Sequence, residues 1–428
     1  MELKPGTLAR SESSLRCDLA KWGLSWDDNK SRPYFEGHER EDVLLARANV
    51  LDYFLSNKAL YYTSTLEPAF WKAPIKQENN SGGSNKIRII LAHDESTFKS
   101  GEIQKKRWIL PGCAPFFNKG RGRSIMISYF IACHDKEVFS ELSEEEWRKA
   151  LEENPKLNDC ECKLNFYERS ASGWLEPGKE NYVDNKVILQ QFERLFILLK
   201  YKKSFENAQI EVLVDNARTH SAKQYDLMNF NKFDSVKAAP YETIEWTENG
   251  ELKVIICSYD EINGLKKCKG LFTLAKELKL IPHDSATTDK QYSLLRLREI
   301  LSLHQAFTDI SKLEILGKKF GVNVVYCPKY HCELNPIEGF WCYLKQYVRK
   351  HNTQDFRALH KLINEAMHSY KSSNLNFKLW KRFWKTLDAY NSGKTYQEVL
   401  QTFFGAKSSA NIISHKKVLH FNTLLSET

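Results

Sequence analysis

The sequence predicts an α/β fold. Short apolar segments at residues 87–92, 210–214 and 322–326 have the length of buried strands; the first ends at His93-Asp94 and the second at Asp215. Residues 124–133 alternate, with Ile125, Ile127, Tyr129 and Ile131 on one face. Between the strands stand stretches of helical period, the clearest with Ile188, Phe192, Leu195, Phe196 and Leu199 along one stripe.

In chain order, residues 1–80 read as helical and mixed, with one amphipathic helix over 40–55. Residues 77–85 are polar and rich in Gly and Ser, which marks a linker and the main boundary. The strand at 87–92 follows, then strands at 106–110 and 124–133, an acidic helix over 141–153, a long helix over 184–202 and the strand at 210–214. Residues 222–320 form an intervening segment with a hairpin over 243–258 and helices over 292–303 and 309–320. After the strand at 322–326, Pro336 opens a helix running to about Lys350. Proline suits that place because its missing N–H is not needed in the first helical turn. The chain stays helical to about Phe404 and then weakens into a polar tail.

Composition excludes several classes. With 428 residues and 42% hydrophobic content, the chain can bury a core without disulfides. No apolar run reaches the ~18–20 residues that span a bilayer. The first twenty residues are charged throughout and lack a signal core, so export is not expected. Ten cysteines include no Cys-x-x-Cys pair, which fits reduced thiols of a cytosolic or nuclear protein better than a zinc site. The net charge of +9 is concentrated: from Trp341 to the end there are fourteen Lys/Arg against five acids, a difference of +9. Aromatics are interleaved with this charge, as in Trp380-Lys381-Arg382-Phe383-Trp384-Lys385, and a polyanion is the partner such a region favours.

Three acids sit where chain geometry makes them useful. Asp94 and Asp215 each end an apolar strand, and strand ends are where side chains of a covered sheet converge on a ligand. Glu338 lies in the first turn of the helix after Pro336, at the edge of a buried stripe of Ile337, Phe340, Trp341, Leu344 and Val348. Oxygen ligands of this kind suit Mg²⁺ or Mn²⁺. Such a cluster repels itself without a cation. Two ions ~3.5–4 Å apart would relieve the repulsion and clamp both oxygens of an in-line phosphoryl displacement.

The strings His93-Asp94-Glu95-Ser96, Asp215-Asn216-Ala217-Arg218-Thr219-His220 and Pro328 to Glu338 (PKYHCELNPIE) resemble, in order, the three catalytic blocks of mariner-type DDE transposases. The likeness is strongest to the fungal-type DDE endonuclease group, and segments at 34–43, 120–128 and 388–390 extend it over residues 34–390. The resemblance implies a ribonuclease H-like fold: a mixed five-stranded sheet flanked by helices, with an inserted subdomain and a helical C-terminal extension. It divides the chain into a helical N-terminal region and linker (1–85), a catalytic core in two parts (86–221 and 321–351), an insert (222–320) and a basic helical region (352–428). The 122 residues between Asp215 and Glu338 exceed the mariner spacing, and the long segment of the fungal-type members accounts for them. No recognition helix for terminal repeats is evident in residues 1–80.

The same resemblance implies that Asp94, Asp215 and Glu338 hold two Mg²⁺ (or Mn²⁺) ions. Metal-activated water would then cut a strand at a transposon end, and the freed 3′-hydroxyl would attack target DNA. The implied partners are double-stranded DNA and a second copy of the chain in a synaptic complex, in the nucleus. Candidate supporting residues are His93, Glu95, Asn216, His220, His331, Glu333 and Asn335, with Glu333 as the alternative third acid. Each histidine has the alternative of bonding its local turn. Candidate DNA contacts are Lys119, Arg121, Arg123, Lys345, Arg349, Lys350, Lys381 and Arg382. Two other readings remain: a domesticated, transposase-derived DNA-binding protein without catalysis, and another ribonuclease H-like nuclease such as a resolvase. The Asn-Pro-Ile-Glu block favours the transposase over the latter.

Overall fold

The computed structural model describes residues 11–22, 37–65, 69–75, 86–104, 120–158, 161–178, 181–236, 238–248, 251–262, 265–282, 289–307 and 310–403. The expected linker at 77–85, the strand at 106–110, Lys119 and the tail past Phe403 lie outside them.

Helices α1 (Glu12–Lys21) and α2 (Glu41–Leu55) lead into a two-stranded hairpin, β1 (Thr63–Ser64) and β2 (Trp71–Lys72). The sheet then begins with β3 (Arg88–Lys99) and β4 (Ser124–Ala132). Helix α3 (Glu144–Glu153) follows, started by a capping box in which Ser143 and Glu146 satisfy each other's backbone N–H. Next come β5 (Asn165–Phe166), β6 (Gly173–Leu175), α4 (Asn185–Leu199) and β7 (Gln209–Val214). Two hairpins, β8 (Thr243–Glu248) with β9 (Glu251–Ile256) and β10 (Ser258–Ile262) with β11 (Leu265–Cys268), precede α5 (Leu271–Glu277), α6 (Leu294–Ser302) and α7 (Lys312–Phe320). The chain closes with β12 (Asn323–Tyr326), α8 (Ile337–His351), α9 (Phe356–Lys371), α10 (Leu375–Asn391) and α11 (Tyr396–Phe403).

Among the described residues the main sheet has six strands in the order β12-β7-β3-β4-β6-β5, where five were expected. The sixth, β5, has two residues, too few to show a period. Strands β12, β7 and β3 run parallel, and β4, β6 and β5 continue antiparallel, so the sheet is mixed. The alternation of strand side chains sends Ile90, Ala92, Ile127, Tyr129 and Leu213 to the face covered by α2, α8, α9 and α10. Ile89, Leu91, Phe130, Val212 and Val214 go to the other face, under α4 and α7. Residues Phe230 to Phe307 bury a cluster of their own, including Ile244, Leu271, Leu274, Leu297 and Leu301. Among the described residues no helix is long and apolar enough to cross a membrane, and the cysteines are free.

Strand β3 corrects one expectation. It does not stop at Asp94 but continues to Lys99, because antiparallel pairing with β4 persists to Lys99↔Ser124. What ends before Asp94 is the parallel pairing with β7, whose last partners are Ala92↔Leu213. Strand β7 is likewise not wholly apolar: Glu211 is fully buried in it, receiving hydrogen bonds from Tyr53 (2.9 Å), Tyr61 (2.7 Å) and Arg88 (3.0 Å). This ties α2 and the residues after it to the centre of the sheet.

Candidate functional site

The three sequence-selected acids come from three elements. Asp94 lies two residues past the last β3–β7 pair, opposite Tyr129 of β4. Asp215 directly follows β7, and Glu338 stands in the first turn of α8. Between β12 and α8 the chain makes a tight turn in which Tyr330 adopts a left-handed φ of 69°. A short 3-10 turn (Cys332–Leu334) then leads to Pro336. Asn335 fastens this turn to the sheet by donating its side-chain N–H to the His93 carbonyl (3.1 Å).

Each acid has its own setting. The Trp341 indole N–H donates to Asp94 Oδ2 (3.1 Å), so α8 holds that carboxylate from the side opposite α4. Burial pushes Asp94 up to about 8, and the charges of Glu95, Glu338 and Asp215 push in the same direction. Asp215 Oδ1 accepts from His220 Nδ1 (2.6 Å) and from the Ala217 backbone N–H (3.1 Å). Burial works against the ionised form of Asp215, but these bonds outweigh it and hold the group below the ordinary carboxylate range. Glu338 is exposed. Partial desolvation raises it, Lys345 opposes and Asp215 adds to the rise. Asp94 therefore feels both other acids, and Glu338 feels Asp215. Sheet and helix bring the three together as a repelling group.

The neighbours divide into two sets. His93 and His220 are fully buried, with ring centroids 5.2 Å apart. Glu95 Oε1 lies 3.4 Å from His220 Nε2. Burial disfavours a charge on His220, yet its bond to Asp215 and the nearby Glu95 carboxylate raise it to about 10. His93, by contrast, is lowered well below the ordinary histidine value by burial and then by His220. The second set lies around Glu333, which accepts from Tyr390 OH (2.6 Å) and bonds His331 Nδ1 (2.6 Å). Glu333 thus fastens α10 to the turn before α8. Asn216 is exposed.

The candidate DNA contacts within the described residues come from just before β4 and from α8 and α10. Arg121 and Arg123 are exposed, with Arg123 paired to Glu176 and lying over the Phe356 ring (3.9 Å). Arg349 pairs with Glu102 (3.1 Å), and Lys350 is exposed. Lys345 leans over Phe98. Arg382 is half-buried and packs beside Gly339, where an added Cβ would meet Leu379 at 2.3 Å and Arg382 at 2.9 Å. A glycine next to Glu338 is therefore what lets α10 seat on α8. The interleaved aromatics of α10 separate in the fold: Trp380, Phe383 and Trp384 go into the core. Lys378, Lys381 and Lys385, spaced three and four apart, line the opposite side. Lys378 and Lys381, with Lys136, Lys371, Trp71 and Phe377, border a groove of about 580 Å³.

Sequence reasoning overlooked two side chains here. Trp341 read only as a member of the buried stripe, and Glu211 read as part of an apolar strand; neither carries a local signal of its partner.

No family model matches the chain, and no curated protein matches it. Among solved structures it is similar to the Mos1 mariner paired end complex with Mn (TM-score 0.41, 12% identity, covering 90% of this chain and 72% of that one). It is also similar to a pre-cleavage Mos1 transpososome (0.41, 11%, 90% and 72%) and to the Mos1 strand transfer complex (0.39, 10%, 90% and 71%). At this degree of overlap, function rests on the residues of the site.

Proposed function

We propose that the chain is a DDE-type DNA-cleaving and strand-transferring enzyme of ribonuclease H-like fold, acting on double-stranded DNA in the nucleus as a homodimer. The observation that carries the reading is the meeting of Asp94, Asp215 and Glu338, one from each of three catalytic-type sequence blocks, with Asp94 pushed up to about 8. A buried carboxylate raised by other carboxylates is a group built to be neutralised by a cation. All three offer the hard oxygens that Mg²⁺ or Mn²⁺ takes, so the residues fit two such ions. The bound ions would polarise the scissile phosphate and lower the pKa of water.

The chain's own groups supply the positioning. Trp341 fixes one oxygen of Asp94, while His220 and the Ala217 N–H fix one oxygen of Asp215, which leaves the other oxygen of each for a ligand. Asn335 holds the turn before α8 against β3, so Glu338 approaches from a pinned helix start. Incubating labelled duplex DNA with the chain and Mg²⁺ or Mn²⁺ tests the reading. Cut strands ending in 3′-hydroxyls, together with joined products, are expected. Salt-sensitive binding with no cut strand in either metal would support a non-catalytic DNA-binding protein instead.

The lysine stripe of α10 gives a separate expectation. Among the described residues, Lys378, Lys381 and Lys385 make no ion pair with a carboxylate, so their charge is available to phosphates. Changing all three to alanine should lower the slope of log affinity against log salt by about 2–3, as each lost phosphate contact removes ~0.9. Fluorescence anisotropy over a salt series measures it, and an unchanged slope would remove α10 from the DNA path.

A further inference from the structure

His93 and Glu95 stand two residues apart on β3, so both point to the face opposite Asp94. Asp94 faces α8 and the Trp341 indole. His93 faces α4, with its ring 4.5 Å from Phe130 and 4.7 Å from Phe192, centroid to centroid. The turn after Asp215 brings His220 over to this second face.

Hydrogen-bond partners fix which atoms of these histidines are bare. Gln191 Nε2 donates to the Ala171 carbonyl (3.0 Å), so its Oε1 accepts from the Ser128 hydroxyl (2.8 Å). Ser128, its proton spent on Gln191, accepts from His93 Nε2 (2.9 Å). That leaves His93 Nδ1 as a lone pair, buried and with no hydrogen-bond partner. On His220, Nδ1 donates to the Asp215 carboxylate, and Nε2 faces Glu95 Oε1 at 3.4 Å. Neither of those two atoms has a hydrogen-bond partner, and both are buried. One donor atom from each of His93, Glu95 and His220 lies within 4.8 Å of the others. His93 Nδ1 is thus unpartnered, and His220 Nε2 and Glu95 Oε1 meet only across that 3.4 Å ion contact, so three buried donor atoms converge with no hydrogen bond among them, an arrangement a bound cation would satisfy.

We propose that His93, Glu95 and His220 form a second metal site, a His₂Glu site for Zn²⁺, on the α4 side of β3. Two imidazoles and one carboxylate are a zinc ligand set, whereas Mg²⁺ prefers oxygen alone. The 3.4 Å between His220 Nε2 and Glu95 Oε1 suits two ligands on one tetrahedral ion with bonds of ~2.0–2.2 Å. Asp215 orients His220, and the Ser128–Gln191 pair orients His93, as outer partners orient metal-binding imidazoles elsewhere. The occupant that competes with the metal is a proton on His220 shared with Glu95.

Zinc titration of the metal-free full-length chain tests the site, read by competition with a chromophoric chelator. Co²⁺ in place of Zn²⁺ adds a visible spectrum that reports tetrahedral nitrogen and oxygen ligation. One Zn²⁺ per chain is expected. Ser128→Ala should weaken binding ~10–100-fold, the usual cost of losing an outer partner. Glu95→Gln should weaken it further, while Glu338→Gln leaves it within a factor of about three. Far-ultraviolet circular dichroism checks that each variant is folded, and Glu95→Gln, at a partly open position, serves if the buried Ser128 change unfolds the chain. Zinc affinity unmoved by Glu95→Gln, or lost only in Glu338→Gln, would overturn the proposal. So would uptake of no zinc by the folded wild type. The proposal is independent of the Mg²⁺ reading, since DNA nicking in Mg²⁺ after removal of zinc tests that reading alone.

Discussion

Asp94→Asn is expected to lower Mg²⁺-dependent DNA cleavage by about 10³-fold or more, since losing several kcal/mol of metal-borne stabilisation costs a factor of ten per ~1.4 kcal/mol. Asparagine keeps an oxygen for the Trp341 N–H, so the fold should survive. The same change should affect metal-free stability in the opposite direction. Asp94 titrates near 8 in the folded chain against an ordinary 3.8, so over that interval the native state holds a proton that the unfolded chain gives up. Its contribution to stability is therefore fully present below 3.8 and is lost as pH rises toward about 8. Asp94→Asn should flatten this decline, raising the melting temperature of the metal-free protein near neutral pH, and should remove the gain that added Mg²⁺ gives the wild type. Thermal unfolding across pH with and without Mg²⁺ measures both, and a variant less stable than wild type at neutral pH without metal would contradict the account.

Glu211→Ala is expected to be among the most damaging single changes for stability, at about 3–5 kcal/mol, the usual cost of removing one partner from a buried charged pair. Arg88 would lose its carboxylate, and the hydroxyls of Tyr53 and Tyr61 would lose their acceptor. Burial raises Glu211 while the two tyrosines and Arg88 hold it down, so the network balances a large desolvation cost. Glu211→Gln keeps one acceptor oxygen and should lose less. Denaturant unfolding measures the difference; a loss under about 1 kcal/mol for the alanine variant would mean that the network does not fasten α2 to the sheet.

These two residues show where the sequence was readable. Asp215 and Glu338 are legible because a strand end and a proline-started helix are local features, whereas Asp94 is marked only by the end of an apolar run, since β3 continues past it. The end of β3 is not legible in the sequence because the apolar run stops at Ala92, whereas the strand continues through the polar residues His93 to Thr97 by pairing with β4. Apolar content reports burial on both faces, and past Ala92 the strand has lost its β7 neighbour. Glu211 was hidden for another reason. Its partners are 123 to 158 residues away, and nothing in its own neighbourhood announces them. The α10 run Trp380 to Lys385 was half legible: its charge pattern predicted a basic surface, but only the fold sends its aromatics inward. His93 and His220 stand out as neighbours of acids, but the bare nitrogen of His93 depends on Ser128 and Gln191, which none of the three catalytic blocks contains.

The most direct measurement is a nicking assay on supercoiled plasmid in Mg²⁺ and in Mn²⁺, run in parallel for wild type, Asp94→Asn, Asp215→Asn and Glu338→Gln, with DNA binding measured for each. Nicking by the wild type that a chelator abolishes, loss of nicking in all three variants, and DNA binding kept in all four are expected. Nicking that persists in any one of the variants, or in the wild type with chelator present, would contradict the claim that these three carboxylates act together through bound metal.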